Sequence, residues 1–288
     1  MTGTLNKLAE GFNLIEGPVW DPSLGLIFSD AVAGGVFALS ETGDVKVVFE
    51  HRKGIGGITR HESAGLVVSG RNISFKPFDG GKTIALLDRD ESVGITGFND
   101  ITTDNLGRIY AGSLGSNSNG TIDSSASGKL FLINIDGSAT AVATDIKFNN
   151  GLAFSPDGKT LYHSDTLRGR VFSYSVNADG TLGEKKSFAR VPSGAPDGLV
   201  VSEDGRVWVA LAGGGHGVSV YHADGTDSEF VKIPQPMCTS LCFGGDDLKT
   251  LFIVSGSEGM GSDKAGAVYS IKTGATGMPV AAARVELG

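Results

Sequence analysis

Cysteine is nearly absent: Cys238 and Cys242 are two residues in 288. They stand four apart in a stretch that reads as a strand. At ~3.3 Å per residue their Cα atoms would sit about 13 Å apart, too far for a disulfide. With no histidine nearby they make a poor zinc pair, so both are read as small buried residues. Proline is scarce at nine, and the glycines follow no three-residue period, which excludes a collagen-like chain. Cations are in deficit, 24 Lys and Arg against 32 Asp and Glu, for a net charge of −8. Nucleic acids and anionic membranes call for clustered Lys and Arg, so neither is expected as a partner. No apolar run reaches the ~18 residues of a membrane span. The opening MTGTLNKLAEGFN has no apolar leader core, so the expected location is the cytoplasm. A long stretch with 3.6-residue apolar spacing is missing too.

What is abundant is glycine, 44 residues, about twice the usual share of ~7%. The chain is 40% hydrophobic, enough for a large core, which excludes global disorder. A unit recurs: a Gly or Asp turn, a short β-branched or aromatic run, a second run, and another turn. The copies begin at Gly25, Gly65, Gly107, Lys159, Gly205 and Lys249. Strand chemistry repeating every ~40–50 residues predicts a β-propeller with one four-stranded blade per copy. A single blade has two apolar faces and cannot bury them alone, so blades stack around an axis. The expectation is an all-β, six-bladed propeller forming one domain over residues 1–288. Leu5–Leu8 and Ala283–Leu287 are the segments expected to complete a blade shared between the two chain ends.

The residues ahead of each copy share a register. Asn99, Asn150 and Asp197 each stand eight before a turn glycine, and Glu16 stands nine before Gly25. Gly56 holds this place in the second copy, and Thr239 or Ser240 in the sixth. In a propeller these positions converge at one end of the central channel. Four oxygen-bearing side chains, two of them carboxylates, would meet there with no Lys, Arg or His among them. Close carboxylates resist joint ionisation unless a cation sits between them. Oxygen donors suit a hard divalent ion such as Ca²⁺, Mg²⁺ or Mn²⁺. Taken singly, Asn-Gly and Asp-Gly read as ordinary turn dipeptides; the shared register and the glutamate argue for the site.

Five segments carry a resemblance: EGPVWDP (16–22), FND (98–100) with LGRIYAG (106–112), NNGLAFSPDGKTLYHSD (149–165), APDGLVVSEDGRVWVA (195–210) and PMCTSLCFGGDDLKTLFIVS (236–255). Together they resemble the senescence marker protein (regucalcin)/gluconolactonase family of six-bladed propellers. The resemblance implies a metal-dependent lactonase with Glu16, Asn150 and Asp197 as ligands of one divalent ion (Ca, Mg, Mn or Zn). Three protein ligands leave positions open for chemistry. The implied reaction opens a cyclic ester, with the ion acting as Lewis acid and Asp197 as general base. Asn99, Ser113 and His216 are the residues expected to face the substrate. No Gly-x-Ser-x-Gly nucleophile elbow is present. Where sugar-lactone members carry Arg-x-Asn-Asp, this chain has Gly97-Phe98-Asn99-Asp100. The stretch Ala111–Asn119 holds no acidic residue where such members can carry one. Losing a guanidinium and a carboxylate removes directional bonds to hydroxyls. The expected small-molecule substrate is therefore a lactone or ester less polar than a sugar lactone. An aryl-esterase or phosphotriesterase on the same site, or a non-enzymatic metal-binding propeller, are the alternatives.

The Ser-, Gly- and Asn-rich stretch 115–128 is long enough to cover the channel mouth as a lid. His163 is expected as a strand histidine satisfied by its neighbours. Trp20 and Trp208 are expected to pack at related blade positions.

Overall fold

The computed structural model describes residues 3–40, 43–115 and 127–288. Among these, twenty-four strands form six four-stranded sheets, joined only by turns, loops and two short 3₁₀ turns. All strand pairs within the sheets are antiparallel. Blades one to five each take four consecutive strands, and their first strands are Ile15–Asp21, Ile58–His61, Ile95–Thr103, Asn149–Phe154 and Ala195–Val201. Blade six starts with Cys238–Gly244 and is completed from the other end of the chain. Its outermost strand is Asn6–Phe12, paired with Gly266–Lys272. The six repeat copies mark the start of the second strand of each blade.

Burial makes the ring. There is one apolar core between each pair of neighbouring blades. Val19, Ile27 and Ile58 lie between blades one and two, and Ile73, Phe98 and Ile109 between two and three. Tyr110, Leu152 and Leu161 follow, then Val171, Leu199 and Val209. Trp208, Leu241 and Ile253 join blades five and six, and Phe28, Leu26 and Val254 join six back to one. Each blade therefore covers a face of the next, as stacking of incomplete units requires. Cys238 and Cys242 are free and buried, as expected.

Two expectations need correction. Ala283–Leu287 does not complete blade six, whose outer edge is Asn6–Phe12; its one bridge is parallel, from Ala283 to His61 of blade two. The C-terminal segment instead crosses the hairpin ends of other blades. Gly277 N–H donates to Leu248 O (2.8 Å), Ala283 N–H to Arg60 O (2.7 Å), Arg284 N–H to Gly107 O (2.9 Å) and Glu286 N–H to Ile135 O (2.7 Å). The tryptophans both pack, but at different positions. Trp20 lies in the first strand of its blade, stacked on Phe252 at 5.4 Å, while Trp208 lies in a second strand, edge-on to Phe243. The proposed lid, 115–128, falls mostly outside the described residues.

Candidate metal centre and active site

The candidate residues sit at irregular points of the first strands. In blade one, Glu16 pairs with Ser29 and Val19 with Ile27, so one extra residue bulges between them. The same single-residue offset follows Phe98 in blade three, Asn149 in blade four and Pro196 in blade five. A bulge re-aims the side chains beside it. Here it frees Glu16, Asn99, Asp100, Asn150 and Asp197 from regular alternation at the same level of four strands.

The glycine after the donor is required by close approach, not by a turn. A Cβ on Gly151 would lie 2.4 Å from Leu199 N and 2.6 Å from Asp197 O of the next blade. One on Gly198 would lie 2.1 Å from Ser240 Oγ. Asn150-Gly151 and Asp197-Gly198 are thus strand residues against which the neighbouring blade packs.

Hydrogen bonds tie three blades together at this level. Asn99 Nδ2 donates to Asn149 O (2.9 Å) and to Asn150 Oδ1 (3.2 Å). Asn150 Nδ2 donates to Thr166 Oγ1 (3.1 Å), whose hydroxyl donates to Pro196 O (2.8 Å), beside Asp197. Asn150 Oδ1 keeps a second lone pair for another partner.

The carboxylates feel one another. Burial first, then the charges of Asp197 and Asp100, push Glu16 well above the ordinary carboxylate range. Glu16 is half-buried. Asp197 is pushed up by burial and by Asp100, against the pull of the Gly198 N–H and the Asn150 side chain. Burial takes Asp100 up to about 7. Asp197 Oδ1 is buried with no hydrogen-bond partner. A buried carboxylate oxygen without a donor, beside two more carboxylates and no cation, is a costly arrangement in protein alone. It becomes favourable around a hard cation, and the donor set of two carboxylates and an amide oxygen suits one. The chemistry of these donors therefore suits a divalent ion, although no three His, Cys, Asp or Glu side chains among the described residues form a ready-made metal cluster.

Beneath this level a cavity of about 420 Å³ runs between the first strands, lined by Pro18, Asp100, Leu152, Leu199 and Leu241. Met278–Ala281 of the C-terminal segment also line it.

Sequence reasoning missed Asp100, although the Asn99-Asp100 doublet was visible. The eight-residue register picked one residue per blade, whereas the bulge admits two. Ser113 needs correction: it is fully buried and its Oγ accepts from the Lys129 N–H (2.9 Å), so it belongs to the scaffold and has no surface to offer a substrate. His216 is exposed on the loop between Val207–Ala212 and Gly217–Tyr221, in a left-handed conformation (φ 56°). No contact joins its ring to the other candidates among the described residues. His163 is fully buried with neither ring nitrogen bonded, contrary to the expectation that neighbours satisfy it. Burial lowers its pKa to about 4, so it stays neutral.

The chain is 32% identical to a pentonolactonase from Haloferax volcanii over 95% of both chains. It is 30% identical to a 6-deoxy-6-sulfogluconolactonase from Pseudomonas putida, over 86% of this chain and 85% of that one. Among solved structures, a gluconolactonase from Xanthomonas campestris superposes with a TM-score of 0.80 at 26% identity, over 94% of this chain and 89% of that one. The family model described as SMP-30/Gluconolactonase/LRE-like region matches residues 14–257. A six-bladed propeller with this match over most of its length belongs to the SMP-30/gluconolactonase/LRE-like family.

Proposed function

We propose that this protein is a lactonase, opening a cyclic ester by hydrolysis with Asp197 as general base. Its relatives named as a pentonolactonase and a sulfogluconolactonase support the reaction class. The observation that carries the site assignment is the unpartnered, buried Asp197 Oδ1 among Glu16, Asp100 and Asn150.

Glu16, Asn150 and Asp197 would hold one divalent cation (Ca, Mg, Mn or Zn). When bound, that ion supplies Lewis acidity to an ester carbonyl and makes a nearby water more acidic. Asp197 takes the proton of the attacking water on its carboxylate. The water oxygen bonds to the lactone carbonyl carbon, and the ring C–O bond breaks. The proton passes to the departing ring oxygen, so the product is a hydroxy acid. Asn99 acts as a brace, fixing the orientation of Asn150 through its Nδ2 while standing at the rim where the substrate enters. Gly97, in place of an arginine, leaves fewer donors for ring hydroxyls. The substrate is thus a lactone poorer in hydroxyls than an aldonolactone.

A panel of sugar, aliphatic and aromatic lactones, each assayed with Ca²⁺, Mg²⁺, Mn²⁺ and Zn²⁺, tests this reading. The expected result is metal-dependent hydrolysis, fastest for a hydroxyl-poor lactone. No turnover of any lactone with any ion would overturn it in favour of a binding protein.

A further inference from the structure

We propose that Arg52 is an anion anchor at the rim of this site, and that the natural lactone carries a carboxylate or similar oxyanion substituent. The substrate part of this inference rests on the lactonase reading. Arg52 lies in the connection from blade one to blade two. Its Nη2 donates to Ser69 O (3.1 Å), Asn72 O (3.0 Å) and Asn72 Oδ1 (2.9 Å). Its Nε and Nη1 have no partner among the described residues, and no carboxylate lies within ion-pair distance of it. The acidic groups nearby are otherwise engaged. Asp88 is reached only through the neutral amide of Asn72 (3.2 Å), and Glu50 pairs with His51 (3.0 Å). Arg52 is half-buried, and that burial lowers its pKa, yet a guanidinium stays charged at neutral pH. A partly desolvated cation held by one nitrogen, with its other donors free, is poised for an oxyanion.

The backbone places this group one strand pairing away from Asn99. Arg52 Nη2 is 3.8 Å from where a Cβ on Gly70 would sit. Gly70 exchanges backbone hydrogen bonds with Phe98 (3.2 and 2.7 Å), and Phe98 precedes Asn99. From Arg52 the chain continues to Gly56, which abuts the Asn99 side chain. A Cβ on Gly54, two residues on, would meet nothing within 4 Å. A side chain at position 97 would project over Gly70, 3.0 Å from its carbonyl oxygen.

The probes are 5-oxotetrahydrofuran-2-carboxylate and its uncharged carboxamide, which share ring and ester. Calorimetry on metal-loaded wild-type protein with the matching lactams, 5-oxopyrrolidine-2-carboxylate and its carboxamide, reads binding without turnover, and hydrolysis of the lactone pair is measured separately. The carboxylate is expected to bind about tenfold or more tightly than the amide, with the preference shrinking as salt rises. Arg52→Gln is expected to erase the preference by weakening the carboxylate alone, and Arg52→Lys to keep part of it. Equal affinity for the two probes in protein with Arg52 intact would overturn the proposal, and needs no Arg52 variant to fold. Equal weakening of both probes by Arg52→Gln would also overturn it, by showing a scaffold role only. A charge preference without hydrolysis of any lactone would support the anchor and remove the lactonase reading.

Discussion

Replacing Asp197 by asparagine keeps its shape and removes both its charge and its proton acceptor. The expected loss in kcat is on the order of 10²–10⁴, with an unchanged circular dichroism spectrum; undiminished turnover would discard Asp197 as the base. Gly151→Ala tests the packing that aims this residue. Its Cβ would press on Leu199 N and Asp197 O, so urea unfolding should show a loss of about 1–3 kcal/mol together with weaker cation binding. Glu16, Asn150 and Asp197 were singled out because equivalent positions in separate repeats bear oxygen donors. Asp100 was not, because a one-residue-per-blade register hides the second residue that a bulge exposes. Ser113 was misjudged because a hydroxyl near a motif says nothing about which way its strand turns it.

Among the elements, the N-terminal strand matters most, since it completes blade six. Phe12 at its end sits edge-on to Phe28 (5.1 Å) and Phe37 (5.4 Å) of blade one, locking the closing strand to the first blade. Phe12→Ala should cost about 2–4 kcal/mol in chemical denaturation, with Phe12→Leu recovering part of it. A cost below ~0.5 kcal/mol would mean that the strand is held by its backbone ladder alone. The second strands of the blades were readable as repeats because their turn glycine and alternation recur. The first strands were harder. Their donor-glycine pairs look like turns, and only the neighbouring blade, distant in sequence, explains why glycine is needed there. The outer edge of blade six shows the same limit. Either chain end could have filled it, and only the pairing of Asn6–Phe12 with Gly266–Lys272 decides.

At the scale of the whole molecule, six shared cores predict that the chain unfolds as one domain in a single transition. The axial carboxylates then set a pH dependence. Glu16 and Asp197 have folded pKa values above their unfolded ones, and Asp100 rises to about 7. Their contribution is fully present below pH ~4 and is lost as pH rises through the folded values. Chelated protein should therefore lose thermal stability between pH 5.5 and pH 8. Added divalent cation should raise the Tm more at pH 8, where fewer protons compete for the carboxylates it binds. A larger gain at pH 5.5 would contradict the axial assignment. The ring itself was legible from six repeats and from the need of each sheet to cover a neighbour. The path of the C-terminal segment was not, because its hydrogen bonds run to hairpin ends of blades with no sequence relation to it.

The central claim is that oxygen donors from separate blades hold one divalent cation on which lactone hydrolysis depends. Its most direct test is lactone hydrolysis by chelator-stripped protein during back-titration with a divalent ion, alongside Glu16→Gln. The account predicts no turnover in stripped protein, full recovery at one ion per chain, and at least tenfold weaker ion binding in the variant. Undiminished turnover in stripped protein, or recovery in the variant indistinguishable from that of the wild type, would contradict it.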